Sequence, residues 1–191
     1  MTGELEYSLS PAIRRISGSL RRFGWLSFWC QFFLGIISSV ILLLPVLSQG
    51  SRTAGNNPGA GTGLFFSACG LVALCLGAYW SFRYTRTARQ LRGRDESRRP
   101  RPKDVIRLLK FGLFVSLGGM LLTLLGAQAV AGSLILKALS QGFSLAGPTL
   151  DFSGLIKPLD MFVVQASTNI LLAHFANLAC TLWVLNAVNR A

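Results

Sequence analysis

The sequence predicts an all-α integral membrane protein, a bundle of four transmembrane helices with both termini on the cytoplasmic side. Three observations predict it: four apolar runs long enough to span a bilayer, basic residues gathered in alternate connecting segments, and tryptophans grouped toward one surface. Of 191 residues, 51% are hydrophobic and 14% charged, and the mean hydropathy is +0.50. That is one domain's worth of chain with too little charge for a soluble domain, so the bilayer is its natural solvent. The formal net charge of +12 would by itself suggest nucleic acid or anionic lipid. The charges lie between the apolar runs and hardly enter them, and no folded basic module is present, which excludes nucleic acid.

The first apolar run is Phe23 to Leu47. It begins too late, runs too long and lacks a small-residue cleavage site, so it is expected to stay as a membrane helix and not to be removed as a signal peptide. Ahead of it, residues 1–22 form a cytoplasmic N-terminal segment. Ser10 can cap a short helix there, Pro11 can occupy its first turn, and Leu9, Ile13, Ile16 and Leu20 share one face, which predicts a separate amphipathic helix on the membrane surface. The second run is Gly63 to about Tyr84, after SQGSRTAGNNPGAGTG, a connector rich in Gly, Asn and Pro with no phosphate-cradling pattern. The third is Phe111 to about Leu139, and the fourth is Pro158 to about Val188, with Pro158 suited to a first turn. Backbone groups must be paired internally in lipid, so these runs are helices and not strands.

Between the second and third runs lies a basic cytoplasmic loop, residues 85–110. From Arg83 to Lys110 there are eleven basic residues and three acidic ones. Arg14, Arg15, Arg21 and Arg22 precede the first run, whereas the first connector carries only Arg52. This alternation orients the chain with the N-terminus, central loop and C-terminus inside. Trp25, Trp29, Trp80 and Trp183 fall toward the same side, as an interfacial belt would have them. RYTRTARQLR spaces its arginines so that helix two can continue into the cytosol, and PRPKDVIRLLK has the pattern of an interfacial helix leading into helix three. Arg83, Arg86, Arg89, Arg98, Arg99 and Arg101 are the candidate contacts to anionic lipid headgroups, each contributing about 1 kcal/mol near such a surface.

Chemistry-bearing residues are few. Cys30, Cys69, Cys75 and Cys180 lie in apolar runs without a CxxC pair and are expected to be packing residues. Helix three has a small-residue stripe at every fourth position, Gly119, Thr123, Ala127 and Ala131, and helix two has Cys69, Ala73 and Gly77. Such stripes let helices approach closely, within one chain or in a homo-oligomer. Helix four is the most polar: Gln165, Asn169, Asn177 and Thr181 recur at multiples of four, which predicts an inward face with Gln128 and Gln31 as its partners. That face serves either as an interhelical hydrogen-bond network or as the lining of a polar path. His174, the single histidine, is a functional candidate because intramembrane ionisable groups usually are. One imidazole does not make a tight metal site, and no bound cofactor is expected. Asp160, near the outer mouth of helix four, could attract cations. There is no carboxylate pair, no nucleophile with its base and no nucleotide loop, so no enzyme is predicted. Arg22-Phe23-Gly24 and Lys110-Phe111-Gly112 introduce helices of the same orientation, which is too short a match to establish a duplication.

The segments RRFGWLSFWCQ at 21–31, YWSFRYTRTARQLR at 79–92, SQGFS at 140–144 and DMFVVQASTNILLAHFANLAC at 160–180 carry a family resemblance. The chain resembles the chloroplast inner-envelope permease family, also described as the twenty-one-kilodalton subunit of the inner-envelope Tic translocon, which has cyanobacterial relatives. The resemblance covers about residues 23–188, and the short N-terminus without a transit peptide resembles a cyanobacterial member. It implies a plasma or thylakoid membrane location, or the inner envelope in plant relatives, and two attached functions. One is iron permeation, with ferrous iron as the transported ion and Gln165, Asn169 and His174 as candidate path residues. The other is a non-transporting role as a membrane partner, either a protein-import translocon subunit or an assembly factor for photosynthetic complexes, within a homo-oligomer or a larger membrane complex.

Overall fold

The computed structural model describes residues 11–49, 58–91, 100, 102–144 and 158–189. They form four helices: α1 (Pro11–Gln49), α2 (Pro58–Leu91), α3 (Pro102–Ser144) and α4 (Pro158–Asn189). Each begins with proline, whose fixed φ suits the first turn and whose missing N–H would have no partner there anyway. All four are long and apolar enough to cross a membrane. At 39, 34, 43 and 32 residues they exceed the roughly 20 residues that a hydrocarbon core requires, so they project beyond it.

Two expected boundaries change. Among the described residues no separate surface helix precedes the first span, because α1 is continuous from Pro11 and buries Ser17 and Leu20 against the bundle. The predicted basic loop is shorter than 85–110, because residues up to Leu91 continue α2 and α3 starts at Pro102. Thr85, Thr87, Ala88, Leu91, Val105 and Leu109 are buried there, so packing prolongs both helices. Arg98, Arg99 and Arg101 lie outside the described residues, as does the first connector up to Asn57.

The helices run up, down, up, down, each packed on its two sequence neighbours, with α1 against α4 closing the ring; α2 and α4 also meet across the diagonal. The inward positions follow a seven-residue rhythm. Ser17, Gly24, Gln31 and Ser38 are buried on α1, and Gly63, Gly70, Gly77 and Tyr84 on α2. On α3 they are Gly112, Gly119 and Gly126, with Ser116, Thr123 and Val130 beside them; on α4 they are Ser167, His174 and Thr181. A step of seven drifts only about 20° around a helix, which a slight left-handed supercoil absorbs. The core has an apolar cluster at each end. One joins Leu42, Leu74, Val130, Val163, Ala166, Ile170 and Ala173, and the other joins Leu20, Tyr84, Ala88, Val105, Leu109 and Val184 at the arginine-rich end. The outside is apolar as a lipid-facing surface must be, with Phe33, Val40, Phe65, Val72, Phe114, Leu121 and Phe175 among the exposed side chains.

Small residues set the closeness of the helices. A Cβ on Gly126 would lie 2.8 Å from the backbone nitrogen of Ser67 and 2.9 Å from the carbonyl of Gly63, so α2 and α3 touch backbone to backbone. Gly24 and Gly112, the two glycines of the short sequence match, both border Tyr84: a Cβ at Gly24 would meet the Tyr84 Cβ at 3.2 Å, and one at Gly112 would collide with its hydroxyl. Gly24 thus lets α1 approach the α2 backbone at Tyr84, and Gly112 of α3 makes room for the end of its ring.

Candidate functional site: a polar column on the bundle axis

Alongside the two apolar clusters, all four helices place polar side chains on the axis. Asn177 of α4 is the hub, fully buried. Its Oδ1 accepts from Ser27 Oγ of α1 at 2.7 Å and from Ser81 Oγ of α2 at 3.0 Å. Its Nδ2 donates to Ser116 Oγ of α3 at 2.6 Å. Gln31 Nε2 donates to Ser27 Oγ and Ser81 Oγ, each at 3.0 Å, and to the Ser27 carbonyl at 3.2 Å. Both serine hydrogens are directed to Asn177, so the Ser27–Ser81 approach of 3.1 Å is a contact of two acceptors that Gln31 bridges. The bonds therefore run in one direction, from Gln31 through the serines to Asn177.

About one helical turn further from the arginine-rich end sits His174. Its Nε2 lies 3.2 Å from the Gly70 carbonyl, which can only accept, so Nε2 carries the hydrogen and the neutral ring presents a bare lone pair at Nδ1. Nδ1 has no partner among the described residues. Gly119 makes the room for this ring, since a Cβ there would strike it. Beyond it Thr123 Oγ1 donates to the Gly119 carbonyl at 2.7 Å. Ser167 donates to the Val163 carbonyl at 2.9 Å, so Ser67 is the donor in the Ser67–Ser167 bond, also 2.9 Å. In the other direction the Tyr84 hydroxyl is brought next to Thr181, yet neither oxygen makes a well-formed hydrogen bond. Gln31 Oε1 is likewise buried and unpartnered, facing Gly77.

The structure brings His174, Asn177 and Thr181 together on the axis and leaves Gln165, Asn169 and Gln128 outside it. Gln165 is exposed and Asn169 half-buried, and they bond to each other at 3.3 Å. Gln128 is exposed on α3 and does not face helix four as expected. Steps of four turn about 40° further around a helix each time, so a series begun at Gln165 and Asn169 reaches the buried face only from Ala173 and Asn177 onward. The small-residue stripes drift in the same way: Gly119, Thr123 and Gly77 are buried, whereas Ala127, Ala131, Cys69 and Ala73 are only half-buried. Gln31 is on the axis as anticipated, but Ser27, Ser81, Ser116, Ser67 and Tyr84 were missed; the signal was serine in an apolar run three or four residues after a glycine of the seven-residue series. Arg83, Arg86 and Arg89 are exposed, and the Arg83 guanidinium lies 4.8 Å from the Trp80 ring centre. The Asp160 side chain lies outside the described ones.

These placements predict opposite outcomes for two glutamines. Gln31→Leu should destabilise the bundle, since two serine hydroxyls lose their donor. Gln128→Leu should change the unfolding midpoint in detergent by less than about 0.5 kcal/mol, because no described partner is lost. Equal losses for the two would sink the placement of Gln128 outside the network.

Among the described residues no three His, Cys, Asp or Glu side chains come together as a metal cage. The column therefore offers successive single neutral ligands and not one closed coordination sphere.

No solved structure matches the chain. It is 33% identical over 184 residues to Protein TIC 21, chloroplastic, from Arabidopsis thaliana, covering 94% of this chain and 60% of that one. The chain thus spans about 60% of that relative's length, and the resemblance drawn from the sequence is supported across nearly all of the membrane region. With residues 10–189 matched by the family described as Protein of unknown function (DUF3611), the chain belongs to that family of integral membrane proteins.

Proposed function

We propose that this protein is a permease-like carrier of a small cation, with ferrous iron the ion that the family resemblance suggests, and that the axial polar column is its path. The observation that carries this reading is the set of buried polar atoms on the axis left without partners among the described residues: Gln31 Oε1, His174 Nδ1, Thr181 Oγ1 and Tyr84 Oη. An unsatisfied polar atom in hydrocarbon costs several kcal/mol, roughly, so a purely structural core has every reason to pair or delete it. All four atoms can offer a lone pair as neutral groups, and imidazole nitrogen suits ferrous iron. Weak successive ligands are what conduction requires, because an ion must leave each as readily as it enters. Apolar clusters pack against the column toward both ends, so in this reading passage requires them to part in turn. The arginine-rich end faces the cytoplasm in this reading, following the charge alternation.

The test is radioactive ferrous iron flux into liposomes holding the purified protein, beside His174→Ala and Asn177→Leu. Flux above empty vesicles that falls at least about tenfold in His174→Ala supports the path. Asn169→Leu should retain wild-type flux, since Asn169 is off the axis.

The second reading, a non-transporting partner in a translocon or assembly complex, is favoured by one observation: Gln128, Gln165 and Thr168 are exposed on membrane-crossing helices. Polar groups facing lipid are better satisfied by another protein's helix. Flux equal to that of empty vesicles, with crosslinking from these three positions to other membrane proteins, would favour it.

A further inference from the structure

At the arginine-rich end, the surface between α1 and α2 holds a groove of about 810 Å³ lined by Arg14, Arg15, Gly18, Ser19, Arg21, Arg22, Phe23, Trp25, Thr85 and Arg89. Five of these ten residues are arginines and none is acidic. The arginines are exposed, and among the described residues none is paired with a carboxylate. We infer that this groove is a binding site for an anionic phospholipid, whose phosphate is held by the arginines and whose chains lie along α1 below it.

Charge is the first argument. Five like charges around one concavity repel one another, and the guanidinium fork is the side chain best matched to the oxygens of a phosphate, two hydrogen bonds at a time. Gly18 and Ser19 supply little side chain, which is what lets a headgroup settle between the flanking arginines of α1 and Arg89 of α2. Position is the second. The groove is bounded on its apolar side by Phe23 and the half-exposed Trp25, an aromatic of the kind that sits at headgroup level. From Trp25 the exposed surface of α1 continues through Leu26, Phe32, Phe33, Ile36 and Val40, an unbroken apolar track for an acyl chain. A free phosphate would use the arginines and ignore this track, whereas a lipid uses both. Basic pockets between helix ends at the membrane surface bind anionic headgroups on the same principle. The site is independent of the proposed cation path, because none of its residues belongs to the axial column.

The experiment is native mass spectrometry of the detergent-solubilised protein, titrated with phosphatidylglycerol or with phosphatidylcholine. Four forms are compared: wild type, the groove variants R21Q/R22Q and R15Q/R89Q, and R107Q/K110Q, which removes the same charge from exposed α3 positions outside the groove. Wild type should retain phosphatidylglycerol and not phosphatidylcholine. Each groove variant should retain about tenfold less or lower still, and R107Q/K110Q should match wild type. Two groove pairs from different positions keep the result readable if one of them fails to fold. Equal loss in R107Q/K110Q would mean a diffuse basic belt and overturn the site. Displacement of the lipid by inorganic phosphate at equal concentration would make the ligand a free anion and overturn the lipid assignment.

Discussion

Asn177→Leu is expected to destabilise the bundle by roughly 2–4 kcal/mol, the largest loss of any single polar substitution in the chain. Asn177 joins Ser27, Ser81 and Ser116, so the change removes three buried interhelical bonds at about 0.6 kcal/mol each and leaves three hydroxyls with fewer partners. Denaturant unfolding of the purified protein in detergent measures it. The comparison is Asn169→Leu, on the same helix and of the same chemistry, which should shift stability by less than about 0.5 kcal/mol. A double-mutant cycle of Asn177→Leu with Ser116→Ala should return a coupling of about 0.6–1.7 kcal/mol. Equal effects of the two asparagine substitutions would show that the hub does not exist as described.

The second large effect is at Gly126. Even Gly126→Ala puts a Cβ within 2.8 Å of the Ser67 nitrogen and 2.9 Å of the Gly63 carbonyl. Those are backbone atoms of a neighbouring helix and cannot swing away as a side chain end can, so α2 and α3 must separate. The expected cost is about 3 kcal/mol, at the upper end of overpacking, and Gly126→Val should fail to accumulate as folded protein. Gly132→Ala, six residues on in the same helix and meeting nothing within 4 Å, should be neutral or slightly stabilising. If both alanine variants unfolded at the same denaturant concentration, the close α2–α3 approach would be wrong. Separation at Gly126 would also break the Ser67–Ser167 bond, so any ferrous flux should fall together with stability. His174→Ala differs in this respect, since it removes a ligand of the proposed path while opening space, and the two variants separate a packing defect from a lost ligand.

The sequence by itself determined the architecture. Four apolar runs admit only helices in lipid, because backbone groups there can be paired only within the segment, and the structure begins each helix at a proline. It also determined that helix four carries the polar chemistry, since His174, Asn177 and Thr181 are all buried on the axis. Tertiary structure alone decided which polar residues meet. Gln128, Gln165 and Asn169 have the same chemistry as Gln31 and Asn177, yet they stand off the axis. The difference is one of phase: a step of four drifts off a helix face within a few turns, whereas alternating steps of three and four hold it. Serine gives no hydropathy signal in an apolar run, so Ser27, Ser81 and Ser116 became recognisable only when three other helices brought partners to them. The arginine groove follows the same rule. Arg14 to Arg22 and Arg89 are far apart in sequence, and only the antiparallel packing of α1 on α2 gathers their charge into one concavity.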